Sequence, residues 1–234
     1  MPQVLVNDIS LYYEHRKPSK PSGASPLIFI RGLGTQLIQW PEAFLNYFLD
    51  LGLELILFDN RDVGLSQKLD AAGVPDIGAL MAGASSGAMF PVPYTIADMA
   101  QDVIGLMDAL AIDKANIFGM SLGGMVAQHL AFSHGARMSH VICVMSSSGN
   151  PDLPPPDAGA LAPSGAEDEA TLIDELTASL GQFMSPGFPT PEADRRALAQ
   201  KIVARSYYPQ GFIRQMAAAL ADGSRVDRLA TIKV

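Results

Sequence analysis

A chain of 234 residues with a formal charge of −8 is long enough for one large domain but lacks the clustered Lys and Arg that a phosphate backbone requires, so nucleic acid is excluded as a partner. Its one cysteine, Cys143, can form no disulfide within the chain, and no apolar run approaches the roughly 20 residues that span a bilayer, so no membrane partner is expected. The N-terminal stretch MPQVLVNDISLYYEH has no basic segment leading into an apolar one, and a cytoplasmic protein is expected.

In chain order, residues 4–6 and 9–13 flank the turn pair Asn7-Asp8 and predict a β-hairpin. The apolar run 27–30 predicts a strand ending in glycines. A helix over 40–51 and a second buried strand over 53–58 follow. Strands alternating with helices imply a largely parallel sheet covered on both faces. Residues 70–90, rich in Gly, Ala and Ser, read as loop. Thr95 and Asp98 make a capping-box-like start, and Ile96, Met99, Val103, Met107 and Leu110 recur at helical spacing, so a helix is expected over 95–111.

A strand at 115–118, a helix at 122–133 and a strand at 141–145 come next; in the last, Cys143 reads as a small core residue. Beyond Gly149 the chain turns dense in proline, glycine and acid, which marks a linker. Three helices are expected after it, near 167–180, 192–206 and 210–221, with no strand between them. The expected organisation is a sheet core over 1–149, a helical cap with its Pro-rich linker over 150–228, and the start of a return to the core over 229–234.

Gly119-Met120-Ser121-Leu122-Gly123 matches G-x-S-x-G, in which a strand turns abruptly into a helix and leaves the serine strained at the top of a sheet. The flanks suit it: ANIF precedes and LGGMVAQHLAF follows. A serine that attacks a carbonyl needs two donors for the oxyanion that develops. The Leu122 amide is one, and the loop FIRGLG, with Gly32 and Gly34, offers Leu33 as the other. A glycine-rich turn with a capping serine is the alternative.

These segments resemble the α/β-hydrolases, and within them the aclacinomycin methylesterase group, along the whole chain. RGLG stands where the family carries a His-Gly loop, with Arg31 in the place of the histidine. FDNRDVGLS is similar to its Asp-x-Arg-(Gly/Asp)-x-Gly-x-Ser segment, YTIADMAQDVIGLMDAL to the helix before the nucleophile strand, and GMSLGGMVAQ to its elbow. PQGFIRQMAAALADGSRVDRLATIKV resembles the last cap helix and the approach to the next core strand. The resemblance implies an α/β-hydrolase fold, mostly parallel with helices on both faces and an inserted helical cap, and implies Ser121 as the nucleophile.

In that family the triad acid and histidine follow the serine in sequence. The resemblance places both beyond Val234, so the C-terminal strands are expected to be missing and the triad incomplete. His129 lies eight residues into its helix, roughly 10 Å along the axis from Ser121. His134 and His140 bracket the connection to the next strand, and His15 belongs to the hairpin; all four read as surface or packing residues. Asp152 stands where some α/β-hydrolases carry their acid but reads as a linker residue. Asp59 and Arg61 are expected to brace one another, and Asp62 is open between a solvated and an engaged charge. Met81, Met89, Met120 and Met125 either shape an apolar acyl pocket or fill the core.

A sheet ending at the strand of Cys143 would leave an unpaired edge, so a homo-oligomer or a complementing C-terminal segment is the expected partner. The expected activity is cleavage of a small-molecule carboxylic ester by acyl transfer, with no metal and no cofactor. An enol-lactonase, another cofactor-free hydrolase of the superfamily, or a noncatalytic pocket-binding protein are the alternatives.

Overall fold

The computed structural model describes residues 2–79, 91–154, 166 and 168–233. Strands β1 (Gln3–Val6) and β2 (Ile9–Arg16) form the expected hairpin. Asn7 and Asp8 both adopt positive φ, 47° and 61°, the turn whose twist matches that of paired strands. Strand β3 (Leu27–Ile30), helix α1 (Glu42–Asp50) and strand β4 (Leu55–Phe58) follow. Helix α2 (Ile96–Ala109), strand β5 (Ala115–Met120), helix α3 (Leu122–Ser133) and strand β6 (Met138–Val144) complete the sheet region. The six strands lie in the order β1-β2-β4-β3-β5-β6, with β1-β2 and β2-β4 antiparallel and every other pair parallel.

The central strands explain their own sequences. LIFI in β3 and LILF in β4 are buried at every position, as strands covered on both faces must be. Ile28, Ile30, Ile56 and Phe58 pack with α2 and α3 on one face. Phe29, Leu55 and Leu57 pack with Trp40 and with Leu45 of α1 on the other. Each such side chain, fully buried, contributes about 1.5–3 kcal/mol relative to exposure. Helix α2 starts where the capping box places it: Thr95 Oγ1 accepts the Asp98 amide at 3.1 Å, and Asp98 Oδ2 accepts the Thr95 amide at 2.8 Å. Helix α1 begins after Pro41, so Trp40 is a wall residue ahead of the helix and not its first turn.

Helices α4 (Glu169–Gln182), α5 (Glu192–Ser206) and α6 (Pro209–Ala221) follow β6 with no strand among the described residues, close to the expected spans. A short helix, α7 (Val226–Leu229), comes next, and residues 230–233 form turn and irregular backbone. The amides of Thr231 and Ile232 bond back to the carbonyls of Arg228 and Leu229, which holds that segment in a helical turn. Of the segments read as loop and linker, residues 80–90, 155–165 and 167 lie outside the described residues.

Strand β6 is an edge among the described residues. Cys143 is therefore exposed and not a core residue as its apolar run suggested, because no described strand lies beyond it. On the same edge Ile142 and the following Met145 are 42% and 73% exposed.

Candidate active site

Ser121 occupies the step between β5 and α3 with φ 54° and ψ −118°, a positive φ that a non-glycine residue adopts only at a cost of order 1–3 kcal/mol. Its amide donates to the Val144 carbonyl at 2.9 Å, tying the turn to β6. Its side chain is exposed and makes no capping hydrogen bond to α3, so the hydroxyl is not spent on closing the helix.

The flanking glycines are required by contact. A β-carbon on Gly123 would collide with the Ile30 carbonyl oxygen and stand 2.8 Å from the Arg31 oxygen, because the first turn of α3 rides directly on the end of β3. One on Gly119 would collide with the Gly123 oxygen and stand 2.8 Å from Ala127 Cβ. Helix and strand can approach so closely only without side chains at these two positions.

The same approach brings the Gly32 loop to the serine. A β-carbon on Gly32 would stand 3.2 Å from Ser121 Cβ and 3.7 Å from its Oγ. Gly34 has φ 64°, with the Phe212 ring of α6 against it, and its amide donates to Gln215 Oε1 at 2.9 Å. The Thr35 hydroxyl and amide both donate to the Gly32 carbonyl. Within this loop the Leu33 amide makes no hydrogen bond to another described residue, and neither does the Leu122 amide at the start of α3. An unpaired first-turn amide is intrinsic to a helix start and makes it a ready site for negative charge.

Helix α6 covers this end of the sheet through partners far away in sequence. Gln215 Nε2 donates to the Arg61 carbonyl at 2.8 Å, so one side chain ties the helix to the loops after both β3 and β4. Arg214 grips Asp62 with Nε at 2.8 Å and Nη2 at 2.9 Å, both residues buried. The Asp62 hydrogen bonds hold the Arg214 guanidinium above its ordinary value. Asp62 is thus an engaged, buried charge. Gln36 Nε2 donates to the Ile202 and Ser206 carbonyls of α5 at 2.9 and 2.6 Å. None of these helix residues was singled out from sequence, since a lone Gln or Arg on a helix carries no mark of a partner 150 positions away.

Asp59 and Arg61 do not brace each other as expected. Asp59, fully buried, accepts the Leu37 and Leu65 amides at 2.8 and 2.9 Å and stands 2.7 Å from Arg205. Arg61 pairs instead with Asp102 of α2 at 2.6 and 2.7 Å. The loop between them turns their side chains toward different helices.

The four histidines have other contacts than Ser121. His129 Nε2 is 2.8 Å from Asp222, His15 pairs with Glu54, and His140 bonds Asn116. His134 ends α3, where burial pushes it below its ordinary value and Arg137 adds to the effect. Asp152 is exposed, and its amide donates to Asn150. Met120 packs on the Phe29 cluster and Met125 on the Ile28 cluster, on opposite faces of the sheet, so these two do not line one pocket; Met81 and Met89 lie outside the described residues. Among the described residues no group of three His, Cys, Asp or Glu side chains is placed to hold a metal ion. No described helix is long and apolar enough to cross a membrane.

A family model of the alpha/beta hydrolase fold matches residues 25–184, from the strand before the Gly32 loop to the end of α4. The chain belongs to the α/β-hydrolase family. Among its relatives, rhodomycin D methylesterase DauP of Streptomyces sp. (strain C5) is 28% identical over 114 residues, covering 49% of this chain and 32% of its own. The 3-oxoadipate enol-lactonase 2 of Acinetobacter baylyi is 27% identical, covering 75% of this chain and 66% of its own. The chain thus spans from a third to two thirds of the length of these α/β-hydrolases. In three dimensions it is similar to the enol-lactonase of Burkholderia xenovorans LB400, with a TM-score of 0.69 at 24% identity over 100% of this chain and 78% of that one. The expected fold and the expected likeness to methylesterases both stand.

Proposed function

We propose that this α/β-hydrolase cleaves a carboxylic ester by acyl transfer to Ser121. The observation that carries the reading is the exposed Ser121 hydroxyl, held at positive φ beside Gly32. In this reading the hydroxyl attacks the ester carbonyl, and the amides of Leu33 and Leu122 receive the charge that develops on its oxygen. Both amides are free of other described partners, whereas the Gly34 amide is already taken by Gln215. Removing one such donor typically costs about 3 kcal/mol of transition-state stabilisation. Helices α4–α6 act as a cap, with α6 roofing the Gly32 loop.

The acyl-enzyme route also needs a base for the serine proton and a carboxylate to orient that base. None of the four histidines hydrogen-bonds Ser121, so the reading takes the base from outside the described residues. The edge of β6 is where it would join. A groove of about 280 Å³ lined by Gln128, Ala131, Val141, Cys143, Leu229 and Ile232 runs along that edge. Pairing there with a complementing C-terminal segment, or with a second copy of the chain, would cover Ile142 and Met145.

The test is turnover of p-nitrophenyl acetate by the full-length gene product carrying these residues and by its Ser121→Ala variant. Loss of at least a thousandfold in the variant is expected; equal rates would remove the serine from the mechanism. The enol-lactonase relative, which covers three quarters of this chain, favours a lactone as the second substrate to assay. A protein silent on esters and lactones alike would be a pocket-binding member of the fold.

A further inference from the structure

Four arginines are buried among the described residues: Arg31, Arg61, Arg214 and Arg225. Arg61 faces Asp102, Arg214 faces Asp62 and Arg225 faces Asp222. Arg31, only 7% exposed, faces no carboxylate of a described residue. Its Nε donates to Thr35 Oγ1 at 3.3 Å, its guanidinium carbon sits 4.5 Å from the centre of the Trp40 ring, and Nη1 and Nη2 make no hydrogen bond to a described residue. Burial pushes this guanidinium down to about 10, the direction expected of a cation largely removed from water with no described counter-charge.

The surroundings deepen the imbalance. The indole Nε1 of Trp40 is buried and has no described partner either, so among the described residues this corner holds more donors than acceptors. Its position is not arbitrary. Arg31 immediately precedes Gly32, and the Thr35 hydroxyl that meets Arg31 Nε donates to the Gly32 carbonyl at 2.8 Å, in the loop that abuts Ser121. A buried, uncompensated cation is costly unless something pairs with it, and a guanidinium presents a planar fork that fits a carboxylate with two parallel hydrogen bonds.

We propose that Arg31 anchors a carboxylate of the bound ligand beside the Gly32 loop. The ligand class is then an ester or lactone whose acyl part carries a second, free carboxylate. A carboxylate is favoured over a phosphate because one guanidinium balances one negative charge. The role in substrate choice rests on the Ser121 reading; the carboxylate site itself does not.

Trp40 is the protein's one tryptophan and lies against the guanidinium, so its fluorescence reports on the subsite directly. Titration with sodium butanoate is expected to give a saturable emission change and to raise the melting temperature, with sodium chloride at equal ionic strength and inorganic phosphate giving neither. Arg31→Lys is expected to weaken binding at least fivefold, and Arg31→Met at least tenfold. A wild-type protein that responds to butanoate no more than to chloride overturns the proposal, as does an Arg31→Met variant that folds and binds undiminished. Should Arg31→Met fail to fold, the wild-type titration and Arg31→Lys decide the matter. In the full-length gene product, mono-p-nitrophenyl glutarate should be preferred over p-nitrophenyl butanoate in kcat/KM, and Arg31→Met should reduce that ratio at least tenfold. Turnover dependent on Ser121 with an unchanged ratio sinks the Arg31 assignment alone; carboxylate binding without Ser121-dependent turnover sinks the esterase reading alone.

Discussion

Gln215 of α6 accepts the Gly34 amide at 2.9 Å and donates to the Arg61 carbonyl at 2.8 Å, so one fully buried amide side chain holds the helical segment and two sheet loops in register. Replacing it with leucine of similar size strands a half-buried N–H and a buried C=O, each worth about 1–3 kcal/mol when left unpaired in the interior. Gln215→Leu is expected to lower the unfolding free energy by at least 2 kcal/mol or so in urea titrations. If Ser121 works as proposed, ester turnover should fall with it, because the loop carrying Leu33 loses its anchor. A variant as stable as wild type would mean that water replaces the amide.

The buried pair Asp62–Arg214 should behave asymmetrically. Removing one partner leaves a charge without water or counter-ion, which typically costs about 3–5 kcal/mol, while replacing both with apolar residues is often neutral. Asp62→Ala and Arg214→Met are each expected to be severely destabilising, and Asp62→Leu with Arg214→Met to recover most of the loss. Arg214 also donates to the Gly73 carbonyl and the Tyr208 hydroxyl, so recovery will stop short of complete. A double-mutant cycle with no coupling would contradict the geometry.

Gly123 offers the sharpest steric test. Alanine there drives its β-carbon into the Ile30 carbonyl, and both atoms belong to backbone held by α3 and β3. Gly123→Ala should cost about 3 kcal/mol or more, at or beyond the upper end of ordinary overpacking. Gly23→Ala is the control: it has positive φ, 78°, but no atom within 4 Å of the new β-carbon, and should cost only about 1–2 kcal/mol. Thermal unfolding of the two variants side by side checks the ranking.

What the sequence revealed and what it hid divide along physical lines. The α2 start at Thr95, the buried strands LIFI and LILF, and the span of α3 were legible because caps and periodicity are local signals. The tight turn at Ser121 was legible for the same reason, its two glycines being neighbours in the chain. Asp59 and Arg61 were assigned to each other because they are two residues apart, yet the fold sends them to Arg205 and Asp102. The clasp of Gln215 on Gly34 spans 181 positions and has no periodic trace. Cys143 misled because HVICVM reads alike in a central strand and in an edge strand, and strand order is not written in hydropathy.

Asp222 should give the fold an acid-sensitive joint between α3 and the end of α6. Burial pushes its carboxyl upward, but the hydrogen bond with His129 at 2.8 Å and the Arg225 guanidinium outweigh burial and hold it below its ordinary value of 3.8. A depressed folded value contributes stability that is present above the unfolded value and is lost as pH falls through the folded one. Asp222→Asn is therefore expected to be less stable than wild type by about 1.5–3 kcal/mol at pH 7, the usual range for charge-assisted bonds. The gap should shrink below pH 3.8 and close further down. A gap that stays constant from pH 7 to pH 3 would assign the loss to packing instead.

Arg31 should show the opposite sign. Its guanidinium is held down to about 10 by burial, well below its ordinary value. A base whose folded value lies below its unfolded one burdens the folded state at every pH below the folded value, and the burden fades as pH rises above about 10 toward the ordinary value. At pH 7 the burden is fully present. Replacing the cation with an unbranched apolar side chain removes it and keeps contact with Trp40, at the loss of a cation–π term of roughly 0.5–2 kcal/mol. Arg31→Met is accordingly expected to melt at a higher temperature than wild type at pH 7, with the difference narrowing above pH 10. A stability burden of this kind is characteristic of a group retained for what it binds and not for the fold. Were Arg31→Met instead to melt well below wild type, the guanidinium would be a strut of the Gly32 loop, and its missing counter-charge would have a structural cause.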